Sequence, residues 1–437
     1  MASVHPVITS YFNSSNSASW LSTAFIISAT APMPLFAPLS DTIGRRSVWL
    51  GTTFIFAIAL IWCALAPGVG SFIAARALCG LGAGGIMAMG PIITNDLVPI
   101  EMRATVQSML ILAFGLGQAS GAAFGGFLCD FIGWRGAFWV QIPGFVFCGV
   151  LSYLTVPNNL GPQLAKNSKN AVKALVKTFD IAGLLLLACS VTCLILYLNL
   201  GGVILSWSHP ALIATLIVSV VSACLFLRIE TRAAYPVMPM RLLVSRPRAN
   251  INFANFFGSL VMAATTFNAP LYFEVVKDDS PTVAGLRLIA PSLALCASGF
   301  LSCLIITSKY RIRPAIVFGA IIMLLGSICI SRLSRMIPGW LGLIFLIPSF
   351  LGQGFMFPAT YLCMLRVSPV QEHAVTTSTV MLWRQLGSIM GIAVSTLVVQ
   401  NRLSFHLWQT VTGAHKAEVS INSIASKSSQ SYGPWLS

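Results

Sequence analysis

The amino-acid sequence reads as an all-α bundle that crosses a lipid bilayer many times, and three observations carry that reading. Apolar residues make up 56% of the 437-residue chain and charged residues only 8%, against roughly 25% charged in a soluble globular protein. The 26 basic and 11 acidic side chains cannot build a water-facing shell around a chain of this length. Apolar stretches of the length needed to cross hydrocarbon as helix, about 20 residues, recur from one end to the other. Strand-like alternation is absent from them, and an open sheet edge would leave its backbone groups unpaired in lipid, so the spans are helical. A soluble enzyme, a disordered chain and a secreted disulfide scaffold are excluded by the same composition.

Polar, proline and glycine breaks divide the apolar sequence into twelve expected spans. They lie at 20–40, 48–66, 71–94, 104–128, 137–156, 180–200, 209–227, 250–273, 283–306, 315–331, 339–365 and 376–400. Placing the turn after the first span in the cytosol puts sixteen Lys and Arg on that side and eight on the other. The excess of basic loops faces the cytosol, which favours that orientation. Two arginines, Arg76 and Arg384, remain inside spans. With the basic residues confined to short loops, the net charge of +15 does not make a nucleic-acid groove. The eleven cysteines are scattered and none forms a Cys-x-x-Cys pair, so neither a metal nor a cofactor is expected. The sequon at Asn13 falls outside the cell or in a lumen, where glycosylation would require it. No secretory leader is read at the N-terminus.

The layout is a first bundle over 1–156, a lysine-bearing linker over 157–179, a span pair over 180–227, an arginine-bearing linker over 228–249, a second bundle over 250–400 and a polar tail over 401–437. Five spans flank the central pair on each side, whereas repeated transporter halves lead one to expect six and six. One span is therefore expected to be missing at each end. On this reading the 437-residue chain is transport-deficient and a longer form is active.

The turn Ala37-Pro38-Leu39-Ser40-Asp41-Thr42-Ile43-Gly44-Arg45-Arg46 is a tight cytosolic connection. Gly44 permits the bend, Asp41 can pair with an arginine, and Arg45 and Arg46 anchor the turn inside. It resembles the loop signature of the major facilitator superfamily, with Ala37 in place of the opening glycine. Arg76-x-x-x-Gly80-x-Gly82 resembles the arginine motif of that family's fourth span, which implies that Arg76 faces the central cavity and takes part in coupling or substrate binding. A helix-end arginine reaching the headgroups is the competing account. Gly117, Gly121 and Gly125 recur at every fourth residue and are followed by Gly126. Such a stripe lets helices approach closely, and it resembles the family's antiporter motif, with Ala122 where that motif has proline. Gly133-Trp134-Arg135-Gly136 and Pro143 resemble the outer turn and sixth span of fungal fourteen-span drug:proton antiporter-like members, which also carry an extra span pair between their halves.

In the second half, Asn252, Asn255, Ser259, Met262 and Thr266 share a helical face, either for helix-to-helix hydrogen bonding or for lining a cavity. Pro270-Leu271-Tyr272-Phe273 and Ser280-Pro281 through Leu288 resemble the same fungal group, including vacuolar basic amino acid permeases. Arg384, followed by Gln385, lies too deep for easy snorkelling, and is either a coupling residue or an arginine held by carbonyls. None of the eleven acidic residues falls mid-span.

The resemblance implies a major facilitator fold working by alternating access. It implies secondary active, proton-coupled transport of a small solute, as drug, toxin or metabolite efflux or as vacuolar amino acid transport. It further implies a monomer in the plasma or vacuolar membrane whose partners are the bilayer, its substrate and protons, and it implies no enzyme. The titratable acid is expected on the missing first span. Two intramembrane arginines favour neutral or anionic solutes, whereas the permease likeness points to basic amino acids. The alternative reading is a truncated membrane protein, or gene-model fragment, that transports nothing.

Overall fold

The computed structural model describes residues 8, 11–12, 18–99, 102–160, 181–201, 205, 207–232, 245–279, 281–309, 312–369 and 372–410. Asn13, most of the first linker, residues 233–244 of the second and the tail beyond 410 lie outside the described residues. Within them the chain is helical apart from its connections and one isolated bridge, Gly201 to Leu205. The first half holds α1 (Ala18–Thr30), α2 (Met33–Ile43), α3 (Arg45–Leu65), α4 (Val69–Leu97), α5 (Arg103–Trp139) and α6 (Gln141–Thr155). The central pair is α7 (Ile181–Leu200) and α8 (Pro210–Glu230). The second half holds α9 (Arg248–Lys277), α10 (Pro281–Arg287), α11 (Ile289–Lys309), α12 (Ile312–Ser331), α13 (Gly339–Val367) and α14 (His373–Thr410).

The punctuation follows the sequence. Pro32 and Pro34 remove backbone donors at the break between α1 and α2, which meet at 42° and together make one bent span. Gly44 has φ 100°, a conformation that favours glycine, and turns the chain directly from α2 into α3. Gly133, at φ 73°, interrupts α5 at the expected outer turn, so that Phe131–Thr155 forms a separate span. Pro210 opens α8 and the His209 ring accepts from the Ala211 N–H at 3.2 Å.

Eight described helices are long and apolar enough to cross a membrane, nine with the bent pair. The remaining expected spans are α5 over 104–128, α7 and α9. Polar residues lower the apolarity of α9, the described apolar part of α7 is shorter, Ala182–Leu198, and many side chains of α5 over 104–128 lie outside what is described. The exterior is apolar: Phe131 is 78% and Leu154 74% exposed, and none of the α6 side chains is buried. Polar side chains turn inward instead, with Arg45, Arg76, Asn95, Asn252, Asn255 and Arg384 all buried. That inversion is what a lipid solvent selects. This is a multi-pass integral membrane protein.

The two halves meet along two seams. On one side α5 packs against α10 and α11. On the other, α14 packs against α2 and α4, and the central pair lies over this side, with Leu187, Val191, Ile195 and Phe226 joining Ile26 and Ile27 of α1 to Leu382 and Ile389 of α14. The central pair is itself clasped by reciprocal bonds, Ser190 Oγ to the Ser219 carbonyl at 3.0 Å and Ser219 Oγ to the Ser190 carbonyl at 2.9 Å.

Candidate functional site

Each half buries one arginine of the interior. Arg76, on α4, lies over the Phe25 ring at 4.4 Å and sends Nε to the Leu21 carbonyl at 3.4 Å, a long bond. The thiols of Cys63 and Cys79, 3.8 Å apart and fully buried, lie beside it. Among the described residues no carboxylate pairs with Arg76.

Arg384, on α14, is held on several sides. Its Nε donates to Asn255 Oδ1 at 2.7 Å, its Nη2 donates to the Phe357 carbonyl at 2.9 Å, and its guanidinium lies 4.0 Å from the Phe357 ring centroid. Asn255 in turn donates to the Ile251 carbonyl at 2.8 Å and accepts from Thr360 Oγ1 at 3.1 Å. One amide thus ties α9, α13 and α14 to one buried charge. Asn252 is buried one turn before Asn255, and Gln385 is half-buried beside Arg384.

The signature turn is an ion-pair cluster. Arg45 is 2.6 Å from Asp41 Oδ1 and 2.8 Å from Asp96 Oδ2, the latter at the far end of α4, and it also donates to Ser40 Oγ. Arg46 reaches α6 instead, bonding the Tyr153 carbonyl and Asn158 and lying 4.3 Å from the Tyr153 ring centroid. The turn after α2 is thereby fastened to both α4 and α6.

Beside that cluster the halves are joined by a group the sequence reading did not single out. Asn95 Nδ2 donates to Tyr361 Oη at 2.6 Å and to Thr377 Oγ1 at 3.1 Å, from the first half to the second. Arg103, at the start of α5, donates from Nη2 to the Asn95 carbonyl at 2.8 Å and faces His373 Nδ1 with Nη1 at 2.9 Å. The available signal was polar residues at matching ends of spans.

The glycine stripe on α5 is a correction. A Cβ added at Gly117 or Gly121 would meet nothing within 4 Å, and both residues are exposed, so they do not form the close helix contact expected of them. Gly125 is half-buried, and the side-chain surroundings of Gly126 lie outside what is described. The close approach on α5 occurs at Gly115, whose Cβ position lies 2.9 Å from Cys296 Sγ of α11. Two residues along a helix is about 200° of rotation, so Gly117 points away from the contact that Gly115 makes. Elsewhere glycines do seat helices closely. Added Cβ atoms at Gly80 and Gly84 of α4 would lie 2.3 and 2.2 Å from the carbonyl oxygens of Phe25 and Ala29. Those at Gly387 and Gly391 of α14 would lie 2.1 and 2.2 Å from the carbonyls of Phe256 and Leu260.

The Major Facilitator Superfamily profile matches residues 1–392. The chain belongs to this superfamily. It is 32% identical over 391 residues to the vacuolar basic amino acid transporter 2 of Saccharomyces cerevisiae, covering 88% of this chain and 82% of that protein. It is 30% identical over 399 residues to the multidrug resistance protein fnx1 of Schizosaccharomyces pombe, covering 90% and 74%. The fold is similar to that of the human organic anion transporter MFSD10, with a TM-score of 0.61 at 15% identity over 87% of this chain and 78% of that one. It is also similar to the proton:xylose symporter XylE, with a TM-score of 0.60 at 14% identity over 94% and 91%.

Proposed function

We propose that this protein is a proton-coupled secondary transporter of amino acids that works by alternating access in a vacuolar membrane. The observation that carries the reading is the contrast between the two buried arginines. Arg384 donates to Asn255 and to the Phe357 carbonyl at 2.7 and 2.9 Å, whereas Arg76 has one long bond to a carbonyl, a ring and a thiol. Arg76 is therefore the residue with donors to offer a solute, and an α-carboxylate is the anionic group it would bind. That resolves the tension between interior arginines and a basic substrate, because a basic amino acid carries a carboxylate as well. The vacuolar relative's similarity supports amino acids and the vacuole, and the fnx1 similarity supports drug efflux as the second reading.

In the alternating cycle the end bearing Arg45, Arg103 and His373 faces the cytosol, as the basic loops favour. The Asn95, Tyr361 and Thr377 contacts close that end in this conformation. The test is flux in proteoliposomes under an imposed pH gradient, with labelled lysine, arginine, histidine, neutral amino acids and a cationic dye. Gradient-dependent movement of the basic amino acids is expected. Movement of the dye alone would replace this reading with efflux, and no movement of any solute would favour the non-transporting alternative.

A further inference from the structure

We propose that Nδ1 of His373 is a proton-binding site on the seam between the two halves, and that its protonation opens that seam. The proposal deepens the transport reading and supplies a titratable group where no acidic side chain sits mid-span. The tautomer follows from the neighbours. His373 Nε2 lies 3.1 Å from the Leu365 carbonyl and 3.2 Å from the Ser368 carbonyl, so it carries the hydrogen and donates. Nδ1 is then an unprotonated acceptor, and it receives Nη1 of Arg103 at 2.9 Å.

The bond crosses the molecule from the start of α5 in the first half to the start of α14 in the second. A proton arriving from solvent at Nδ1 would replace its lone pair with a second N–H. Two donors and two positive charges would then face each other across 2.9 Å, and attraction would become repulsion. The arginine cannot relieve the conflict by losing its own proton.

The other charges around the ring leave that conflict standing. Arg103 is the cation facing it from α5, and Asp96 of α4 is a weaker, favourable charge already paired with Arg45. From α13 and the residue that follows it, the ring meets the backbone carbonyls of Leu365 and Ser368. Glu372, next in sequence, lies 3.7 Å from Arg248 of α9. Arg103 also grips the Asn95 carbonyl, and the Asn95 side chain holds Tyr361 and Thr377. Displacing Arg103 therefore also disturbs the Asn95 contacts with Tyr361 and Thr377 that join the halves at this end.

The test uses the full chain in lipid nanodiscs, where no gradient or flux is involved. The probe is N-ethylmaleimide, and the readout is alkylation of the native Cys303, followed by mass spectrometry. Cys303 is 2% exposed on α11, where its thiol meets Thr105 Oγ1 of α5 at 3.2 Å, so it reports on opening between the halves. Rates are normalised to unfolded protein at the same pH to remove the thiol's own titration.

Lowering the pH from about 7.5 to about 5.5 should raise the wild-type rate roughly threefold to tenfold, within the tenfold-per-unit limit of a one-proton linkage. In His373→Gln the amide can donate to Leu365 and accept from Arg103 without titrating, so the rate should stay flat. Arg103→Gln removes the opposing charge, should also flatten the response, and serves if His373→Gln does not fold. A flat wild-type profile, or an unchanged acid response in either variant, would overturn the proposal. Absent amino acid flux beside an intact labelling response would sink the transport reading and leave the proton site standing.

Discussion

α4 and α14 are packed alike and charged alike, yet they treat their arginines differently. On each, two glycines four residues apart sit over carbonyls four residues apart, Phe25 and Ala29 of α1 in one case and Phe256 and Leu260 of α9 in the other. Aligning the helices on those contacts places Ala24 of α1 where α9 has Asn255. Register and acceptor together separate the two: Arg76 lies four residues before its first packing glycine and Arg384 three, about 100° apart around the helix, and Arg384 has the Asn255 oxygen as acceptor. The lesson is that a buried arginine's role is set by the side chain its neighbour presents, and its depth in the membrane does not decide it.

The largest effect is expected where the shared packing itself is broken. Gly387→Leu places a side chain where even a Cβ would lie 2.1 Å from the Phe256 carbonyl, and backbone cannot yield as a flexible side chain can. Folded protein recovered as a monodisperse peak after mild detergent extraction should fall by an order of magnitude. Normal recovery would mean that α14 and α9 are farther apart than described, and the alignment of the halves would fail with it.

The next effect separates the two arginines. Asn255→Leu removes the acceptor of Arg384 Nε and leaves a buried charged donor unpaired, at a cost of about 2–3 kcal/mol. A clear fall in melting temperature is expected, read by thiol-reactive dye or light scattering in detergent. Arg76→Gln should leave that temperature within the spread of surface variants while abolishing amino acid flux, because its bonds to the protein are few. Ala24→Asn sharpens the comparison: an amide between Leu21 and Phe25, the two residues Arg76 touches on α1, should dock the guanidinium, so that stability rises and flux falls. Arg76→Gln that destabilises as strongly as Asn255→Leu would show that both arginines are structural.

These contrasts also mark what the sequence could reveal. Spans, breaks and turns were legible because lipid and water impose opposite demands on composition, and Gly44, Gly133 and Pro32 carry backbone constraints that a sequence displays. The choice between a coupling Arg384 and a carbonyl-held one was posed by the residues, and its partner Asn255 was named for its helical face alone. What could not be read is which apolar face of a span meets protein. Lipid tails and buried side chains are equally apolar, so Gly115 and Gly117 look alike in sequence although only Gly115 is in close contact. The Arg103 to His373 bond escaped for another reason, since it joins residues 270 apart that no local pattern links.

The smallest effect is expected at the stripe that looked most constrained. Gly121 is exposed and a Cβ there would meet nothing within 4 Å, so Gly121→Leu should change stability by no more than about 0.5 kcal/mol. Replacing glycine also improves helix propensity, which pushes in the favourable direction. Gly115→Leu is the matched control on the same helix, since its Cβ would lie 2.9 Å from Cys296 Sγ and 3.7 Å from the Ser292 carbonyl. The two variants should part clearly in recovery after extraction, with Gly115→Leu losing most folded protein and Gly121→Leu almost none. Equal loss would mean that another helix covers the Gly117 and Gly121 face in the membrane, and the close-packing role expected from the four-residue spacing would be restored.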